Sequence, residues 1–171
     1  MKMNQIIFVV ESNDNVKSDD RYIKRIIECN YDISDNLTKI NFVHMDGKSK
    51  FNNKKVKDKI KAFAKYNKNN NNYIIYCFDT DRIDIDANEM KVFKDEEEFC
   101  KLNSYYFVWF NLDVEDVVLG HQVYRKDKEK ESICFYKEKT FISRDRLTCN
   151  DYNLRGKSNI CLILDQMLEK K

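Results

Sequence analysis

The sequence IIFVVE at residues 6–11 and the sequence YIIYCFDTD at residues 73–81 decide the fold. Each begins with a run that is almost entirely apolar, which is typical of a strand buried on both faces of a parallel sheet. Each run then stops at carboxylates, Glu11 in the first and Asp79 and Asp81 in the second. Because functional groups of open α/β sheets collect at the carboxyl ends of the strands, we expect these three side chains to share one crevice.

The segments around these two strands predict an α/β fold. Apolar alternation predicts further strands at residues 39–44 and 105–110, and amphipathic spacing predicts helices at about 19–29, 52–66 and 89–102. The order strand–helix–strand–helix–strand–helix–strand predicts a Rossmann-like, mainly parallel four-stranded sheet with helices on both faces, in which the first and third strands are neighbours.

Local signals refine two of these helices. Asp19 or Asp20 would cap the first helix, since a short acidic side chain can accept the free N–H groups of the first turn. In the helix at 89–102, Phe93, Glu97 and Cys100 are predicted to lie along one line.

The whole chain, residues 1–171, is predicted to be one domain with a core at residues 1–120 and a charged helical part at residues 121–171. A short helix at 114–119 would end at Gly120, and further helices are predicted at 126–136 and 159–168. No linker and no internal repeat interrupts the pattern.

Composition excludes several classes of protein. The 31 basic and 29 acidic residues nearly cancel, so no overall basic field indicates nucleic-acid binding. The six cysteines form no Cys-x-x-Cys pair, and the two histidines lie far apart, so a zinc site is not predicted. With no apolar stretch of membrane-spanning length and no signal-peptide pattern, we expect a cytoplasmic protein that does not enter a membrane.

Three carboxylates in one crevice repel each other, and a bound divalent cation usually offsets this repulsion. Mg²⁺ prefers carboxylate and water oxygens, so Glu11, Asp79 and Asp81 are candidate ligands of Mg²⁺ or Mn²⁺. Glu11 is alternatively a general base. Either motif taken alone is equally typical of a helix cap or a turn, and in that case the chain would be a general nucleotide-binding α/β protein. The glycine-free turn at residues 11–13 argues against a dinucleotide site.

A glutamate after the first strand and an Asp-x-Asp after the third, in a small α/β domain, resemble the TOPRIM domain over about the first two-thirds of the chain. The segment FVWFNLDVED at residues 107–116 makes the chain most similar to small stand-alone TOPRIM proteins of bacterial defence loci, with their OLD-type and RloB-type nucleases. Many TOPRIM domains place glycine after the glutamate, where this chain has Ser12. The resemblance implies a Mg²⁺-dependent site in which Glu11 matches the family glutamate and Asp79 and Asp81 its aspartate pair.

The predicted function is metal-dependent hydrolysis of phosphodiester bonds in nucleic acid, with anti-phage defence implied only by the resemblance. Neither a topoisomerase tyrosine domain nor a primase zinc module accompanies the motifs. The alternative is a non-catalytic TOPRIM-like subunit that works with a separate ATPase, because the chain has no phosphate-binding Gly-x-x-x-x-Gly-Lys loop of its own.

Further residues are candidates for the same site. Glu115, beside Asp113 and Asp116, follows the fourth strand and would be a further ligand or base, or else part of a capped helix. Lys128 would stabilise developing negative charge. The candidates for contacting the phosphates of nucleic acid, each equally typical of a solvated lysine, are Lys48, Lys54, Lys57 and Lys61.

Overall fold

A computed structural model describes residues 4–33, 38–67 and 71–171. Its strands are β1 (Asn4–Val10), β2 (Tyr31–Asp32), β3 (Thr38–His44), β4 (Asn71–Asp79), β5 (Tyr106–Phe110) and β6 (Glu169–Lys170). Its α-helices are α1 (Ser18–Asn30), α2 (Lys54–Tyr66), α3 (Ala87–Leu102), α4 (Val114–Leu119), α5 (Lys128–Glu138) and α6 (Ile160–Leu164).

Within the described residues the central sheet has four strands in the order β3-β1-β4-β5, and every neighbouring pair is parallel. The predicted α/β fold is therefore confirmed, including the contact between the first and third predicted strands. Val10 pairs with His44, and Asp79 pairs with Phe110. This register brings the residues that follow β1, β3, β4 and β5 together at the carboxyl ends of the strands.

Alternation along β1 explains why helices cover both faces of this sheet. Ile6 and Phe8 point into a core shared with α1, α4, α5 and α6. Ile7 and Val9 point into a second core, where Val56 and other residues of α2 and α3 pack. Because both sets are fully buried, the run at residues 6–10 has to be apolar at every position.

The C-terminal part is less helical than predicted. The helix expected at 159–168 ends at Leu164, because the chain then turns and Glu169–Lys170 pairs antiparallel with Tyr31–Asp32. The helix expected at 126–136 is α5, and residues 139–159 contain only one short 3-10 helix. The short helix α4 ends at Gly120 in the left-handed conformation, as predicted.

The outer edge of β5 is covered by the side chain of Asn159, which forms hydrogen bonds with the backbone of the strand. The Trp109 N–H donates to Asn159 Oδ1 at 2.9 Å, and Asn159 Nδ2 donates to the Phe107 carbonyl at 3.0 Å. Next to it, the Asn111 N–H donates to the Lys157 carbonyl at 2.9 Å. The backbone groups that an edge strand would otherwise expose are thereby paired.

No helix in residues 4–33, 38–67 and 71–171 has the length and apolar character needed to cross a bilayer.

Candidate functional site

A cleft of about 620 Å³ opens at the carboxyl edge of the sheet, where the sequence predicts the functional groups. We call it the carboxylate cleft. Its charged lining includes Glu11, Asp19, Asp46, Asp79, Asp81, Arg125 and Lys128. The three predicted carboxylates therefore meet in one cavity, together with two cations.

Glu11 and Asp79 are joined through the backbone. The Asp79 N–H donates to Glu11 Oε1 at 2.8 Å, and the Val114 N–H donates to Asp79 Oδ1 at 3.2 Å. The second oxygen of each carboxyl, Glu11 Oε2 and Asp79 Oδ2, forms no hydrogen bond with a described residue. Each side chain is thus oriented by one oxygen and keeps the other for a ligand.

Burial and crowding make both carboxyls hard to ionise. The pKa of Glu11 rises to about 8, chiefly through burial, with the Asp79 N–H acting against the rise and the charge of Asp81 adding to it. The pKa of Asp79 also lies well above its ordinary value, through burial and then the charge of Glu11. Without a cation, the pair therefore keeps a proton at neutral pH.

Asp19 is a cleft residue that the sequence interpretation missed. The predicted cap is wrong, because Lys17 holds the N-cap position of α1 and makes no side-chain cap. Asp19 Oδ2 instead accepts the Ser12 N–H at 3.0 Å, and burial raises the pKa of Asp19. A tertiary hydrogen bond to the turn after β1 has replaced the local one, and no sequence signal distinguishes the two.

Asp81 is held by a lysine. The ammonium of Lys48 donates to the carboxylates of Asp81 and Glu89, and these hydrogen bonds raise the pKa of Lys48 although burial lowers it. Lys48 therefore contacts the cleft residue Asp81, and its charge faces carboxylates; the phosphate contact predicted for Lys48 stays a prediction.

The backbone has positive φ at two neighbouring turns of the cleft. Asp81 has φ 51°, which aspartate tolerates, and Leu112, after β5, has φ 62°, which is unusual for leucine. The Asp81 N–H donates to the Leu112 carbonyl at 3.0 Å, and the Leu112 N–H donates to Thr80 Oγ1 at 2.9 Å. These bonds hold Leu112 in a disfavoured conformation opposite Asp81, and such residues cluster at functional sites.

Lys128 adds a cation to the lining of the carboxylate cleft. Its Nζ lies 3.0 Å from Glu115 Oε2 and 3.6 Å from Asp113 Oδ2. Glu115 has no exposed surface and does not line the cleft, and its pKa rises to about 7 through burial, against the attraction of Lys128. Glu115 therefore contacts the site through Lys128.

The three lysines predicted on α2 are placed on the outside of that helix. Lys54 and Lys61 are exposed, and Lys57 is partly buried with Nζ 5.9 Å from the centre of the Phe99 ring. None of them is among the described residues that line the carboxylate cleft.

Glu96 on α3 is a second buried carboxyl that the sequence interpretation missed. It is 1% exposed, and its Oε1 has no hydrogen-bond partner in the described part of the chain. Burial and the charge of Glu11 raise the pKa of Glu96 to about 9. The predicted line through Phe93, Glu97 and Cys100 is wrong, because Glu97 is exposed and Glu96 takes the inward position.

The donor chemistry of the cleft fits Mg²⁺ or Mn²⁺, since Glu11 and Asp79 each offer a free carboxylate oxygen. Across residues 4–33, 38–67 and 71–171, no three acidic, histidine or cysteine side chains are already arranged to hold a metal ion. Asp81, the third predicted ligand, is instead paired with Lys48.

A histidine fixes the loop that follows Glu11. His44 Nδ1 lies 3.0 Å from Asp14 Oδ1, and His44 Nε2 lies 2.9 Å from Asp20 Oδ1. An ionised carboxylate only accepts hydrogen bonds, so the two contacts together fit the imidazolium form of the ring. Burial lowers the pKa of His44, but the hydrogen bonds with Asp20 and Asp14 raise it by more, above its ordinary value.

Replacing His44 by Gln is expected to destabilise the protein in a pH-dependent way. Because the folded pKa is raised, the stabilisation by His44 is complete below about pH 6.5 and is lost as the pH rises through the folded value. We expect a loss of about 1–2 kcal/mol at pH 6 and a smaller loss at pH 9, measured by urea unfolding. His121→Gln, at an exposed histidine, is the matched control, and a His44→Gln loss that is equal at both pH values would contradict the imidazolium assignment.

Comparisons of the chain with protein-family models, with curated proteins and with solved structures found no match. The functional interpretation therefore depends on the geometry of the carboxylate cleft.

Proposed function

We propose that the carboxylate cleft binds a divalent metal ion, Mg²⁺ or Mn²⁺, and hydrolyses phosphodiester bonds of nucleic acid. The observation that carries the proposal is the linked pair Glu11 and Asp79, in which each carboxyl keeps one free oxygen in a cleft of about 620 Å³. The order of the acidic residues along a parallel sheet supports assigning the chain to the TOPRIM domains, which is part of the same proposal.

The side chains of the cleft have distinct roles in this mechanism. A metal ion bound by Glu11 and Asp79 would polarise a phosphoryl oxygen and lower the pKa of water. The alternative role of Glu11 is that of a general base, in which its carboxylate would take a proton from the attacking water instead of binding the ion. Lys128 stabilises the charge that develops on the phosphate, and Glu115 is a positioning residue that holds Lys128.

Lys48 controls the access of cations to Asp81 in this proposal. While the Lys48 ammonium contacts Asp81 and Glu89, the Asp81 carboxylate is already paired. A divalent cation would compete with Lys48 for Asp81, and the released ammonium could then contact substrate phosphate. The phosphate contacts proposed for Lys54, Lys57 and Lys61 stay predictions that rest on charge alone.

The paired state of Asp81 also favours the alternative function, a non-catalytic TOPRIM-like subunit that works with an ATPase. The ATPase partner and a role in anti-phage defence rest on the resemblance and stay predictions. A cleavage assay separates the two functions. Wild-type protein with Mg²⁺ or Mn²⁺ is expected to cleave labelled DNA or RNA and to be inactive in EDTA, whereas a lack of cleavage under all these conditions would favour the non-catalytic subunit.

Metal binding is expected to stabilise the folded protein through Asp79. At ten times the dissociation constant, Mg²⁺ or Mn²⁺ should add about 1.4 kcal/mol, or roughly 3–5 °C in Tm. At a fixed metal concentration, the rise should be larger at pH 8.5 than at pH 6.5, because the metal displaces the proton that Glu11 and Asp79 keep.

Asp79→Asn should abolish this rise while keeping an acceptor for the Val114 N–H. Asp58→Asn, at an exposed acid on α2, is the matched control and should respond as the wild type does. A metal-induced rise of wild-type size in Asp79→Asn would show that Asp79 is not a ligand.

A further inference from the structure

A second cavity of about 550 Å³ adjoins the carboxylate cleft, and Asp81 lines both. We call it the side cavity. It is bordered by the loop at residues 81–85, by the chain that follows β5, and by Gln122, Asn153 and Arg155. Its volume lies within the range of sites that enclose small organic groups. A ligand that reaches across Asp81 would therefore occupy both cavities.

The lining of the side cavity suits a neutral, flat group with hydrogen-bonding edges. Gln122 contributes an amide that can both donate and accept, whereas Asn111 and Asn153 already donate through Nδ2, to the Tyr152 carbonyl and to Asp151 Oδ1, and contribute their Oδ1 atoms as acceptors. The Gln122 amide forms no hydrogen bond with any described residue. Ile83 and Ile85 add apolar surface.

The charges around the side cavity are mixed. Three acids, Asp81, Asp84 and Asp113, and two arginines, Arg82 and Arg155, line it, and the acids can accept hydrogen bonds from the amino groups of a base. Arg82, which also lines it, is exposed, and its guanidinium has no partner among the described residues. An arginine in this position can contact a neighbouring phosphate or stack on a base.

One loop connects the two cavities. The segment between α4 and α5 supplies Gln122 to the side cavity and Arg125 to the carboxylate cleft. Tyr124, between them in the chain, is 80% exposed. An exposed tyrosine at this point is suited to stack on a base.

We propose that the side cavity binds one unpaired base of a nucleic-acid strand whose backbone crosses the carboxylate cleft. This inference rests on the proposed function and specifies its substrate class, because bases in a duplex are paired and stacked. Extracting one from a duplex costs a few kcal/mol, so single strands and unpaired loops are the favoured substrates.

Fluorescence anisotropy in EDTA tests the substrate class without cleavage. The probes are fluorescein-labelled 12-residue single strands of DNA and of RNA, and the duplex formed by each. Wild-type protein is expected to bind the preferred single strand at least tenfold more tightly than its duplex, because an unstacking cost of a few kcal/mol corresponds to tenfold or more in affinity. Equal affinity for single strand and duplex with both DNA and RNA would overturn the proposal.

Two variants test the location of the base. Arg82→Glu reverses a charge at the cavity, and Gln122→Glu replaces the free amide by a carboxylate that cannot donate, and each should weaken single-strand binding about fivefold or more. Both side chains are exposed, so the variants are expected to fold, and their thermal unfolding checks this. Lys65→Glu carries the same charge change in the last turn of α2, at the amino ends of the strands and away from both cavities. It should change the affinity less than twofold. A Lys65→Glu effect as large as that of Arg82→Glu would overturn the proposal.

The outcomes also separate this inference from the proposed function. If wild-type protein cleaves but Arg82→Glu and Gln122→Glu bind like Lys65→Glu, the metal-dependent function stands and the base site is overturned. If the binding pattern is as expected but no cleavage occurs with either metal, the base site stands and the hydrolytic function is overturned.

Discussion

Glu11→Gln is expected to fold normally, to bind nucleic acid, and to lose metal-dependent cleavage by about 10²–10⁴-fold. Gln keeps the side-chain oxygen that accepts the Asp79 N–H at 2.8 Å, so the end of β4 stays in place. It lacks the charge that holds a cation and the basicity that takes a proton from water. Single-turnover cleavage of a labelled strand, with enzyme in excess and saturating metal, measures the loss directly.

Glu98→Gln provides the matched control for this variant, since Glu98 is an exposed glutamate on α3. It should cleave at the wild-type rate. If Glu11→Gln cleaves within about threefold of wild type, well short of the loss expected for a missing base, Glu11 only supports the backbone of β4 and the mechanism is wrong.

Glu96→Gln is expected to stabilise the protein at alkaline pH. The Glu96 pKa rises to about 9 through burial and the nearby charge of Glu11, so the folded state retains a proton that the unfolded chain releases near pH 4.5. Between these two values the folded state binds more protons, and the free energy of unfolding therefore falls as the pH rises. Gln preserves the volume of the side chain and removes this dependence.

We expect the Tm of Glu96→Gln to exceed that of wild type by on the order of 5 °C or more at pH 8.5. The difference should disappear near pH 4, where the glutamate is neutral in both states. Calorimetry at the two pH values measures this, with Glu98→Gln as a control that should change little at either. A gain that is equal at pH 4 and pH 8.5 would come from packing and would exclude ionisation as the cause.

The fold and the proximity of Glu11 and Asp79 could be predicted from the sequence, because both depend on local sequence patterns that can be recognised without knowing the tertiary contacts. The runs before Glu11 and Asp79 are apolar at successive positions, which only a strand covered on both faces requires. Parallel pairing then places those two carboxylates at the carboxyl ends of neighbouring strands, and in the structure both line the same cleft.

The positions of Asp19 and Glu96 in the fold could not be predicted from local sequence patterns. An acid in the first turn of a helix has the same local pattern whether it caps that helix or binds a distant N–H, as Asp19 binds that of Ser12. A glutamate beside another glutamate gives no sign of which one points inward, so Glu97 was predicted where Glu96 lies. The contact of Lys48 with Asp81 joins residues 33 positions apart, and only the folded chain brings them together.

The side-chain amide of Asn159, which bonds to the backbone of β5, determines how the molecule can share its sheet with another protein. Because that amide already satisfies the Trp109 N–H and the Phe107 carbonyl, a foreign strand cannot extend the sheet on this side without displacing it. The opposite border of the sheet is β3, so a partner that binds by strand addition would have to align with residues 38–44. Such a partner would lie beside His44, next to the loop that follows Glu11.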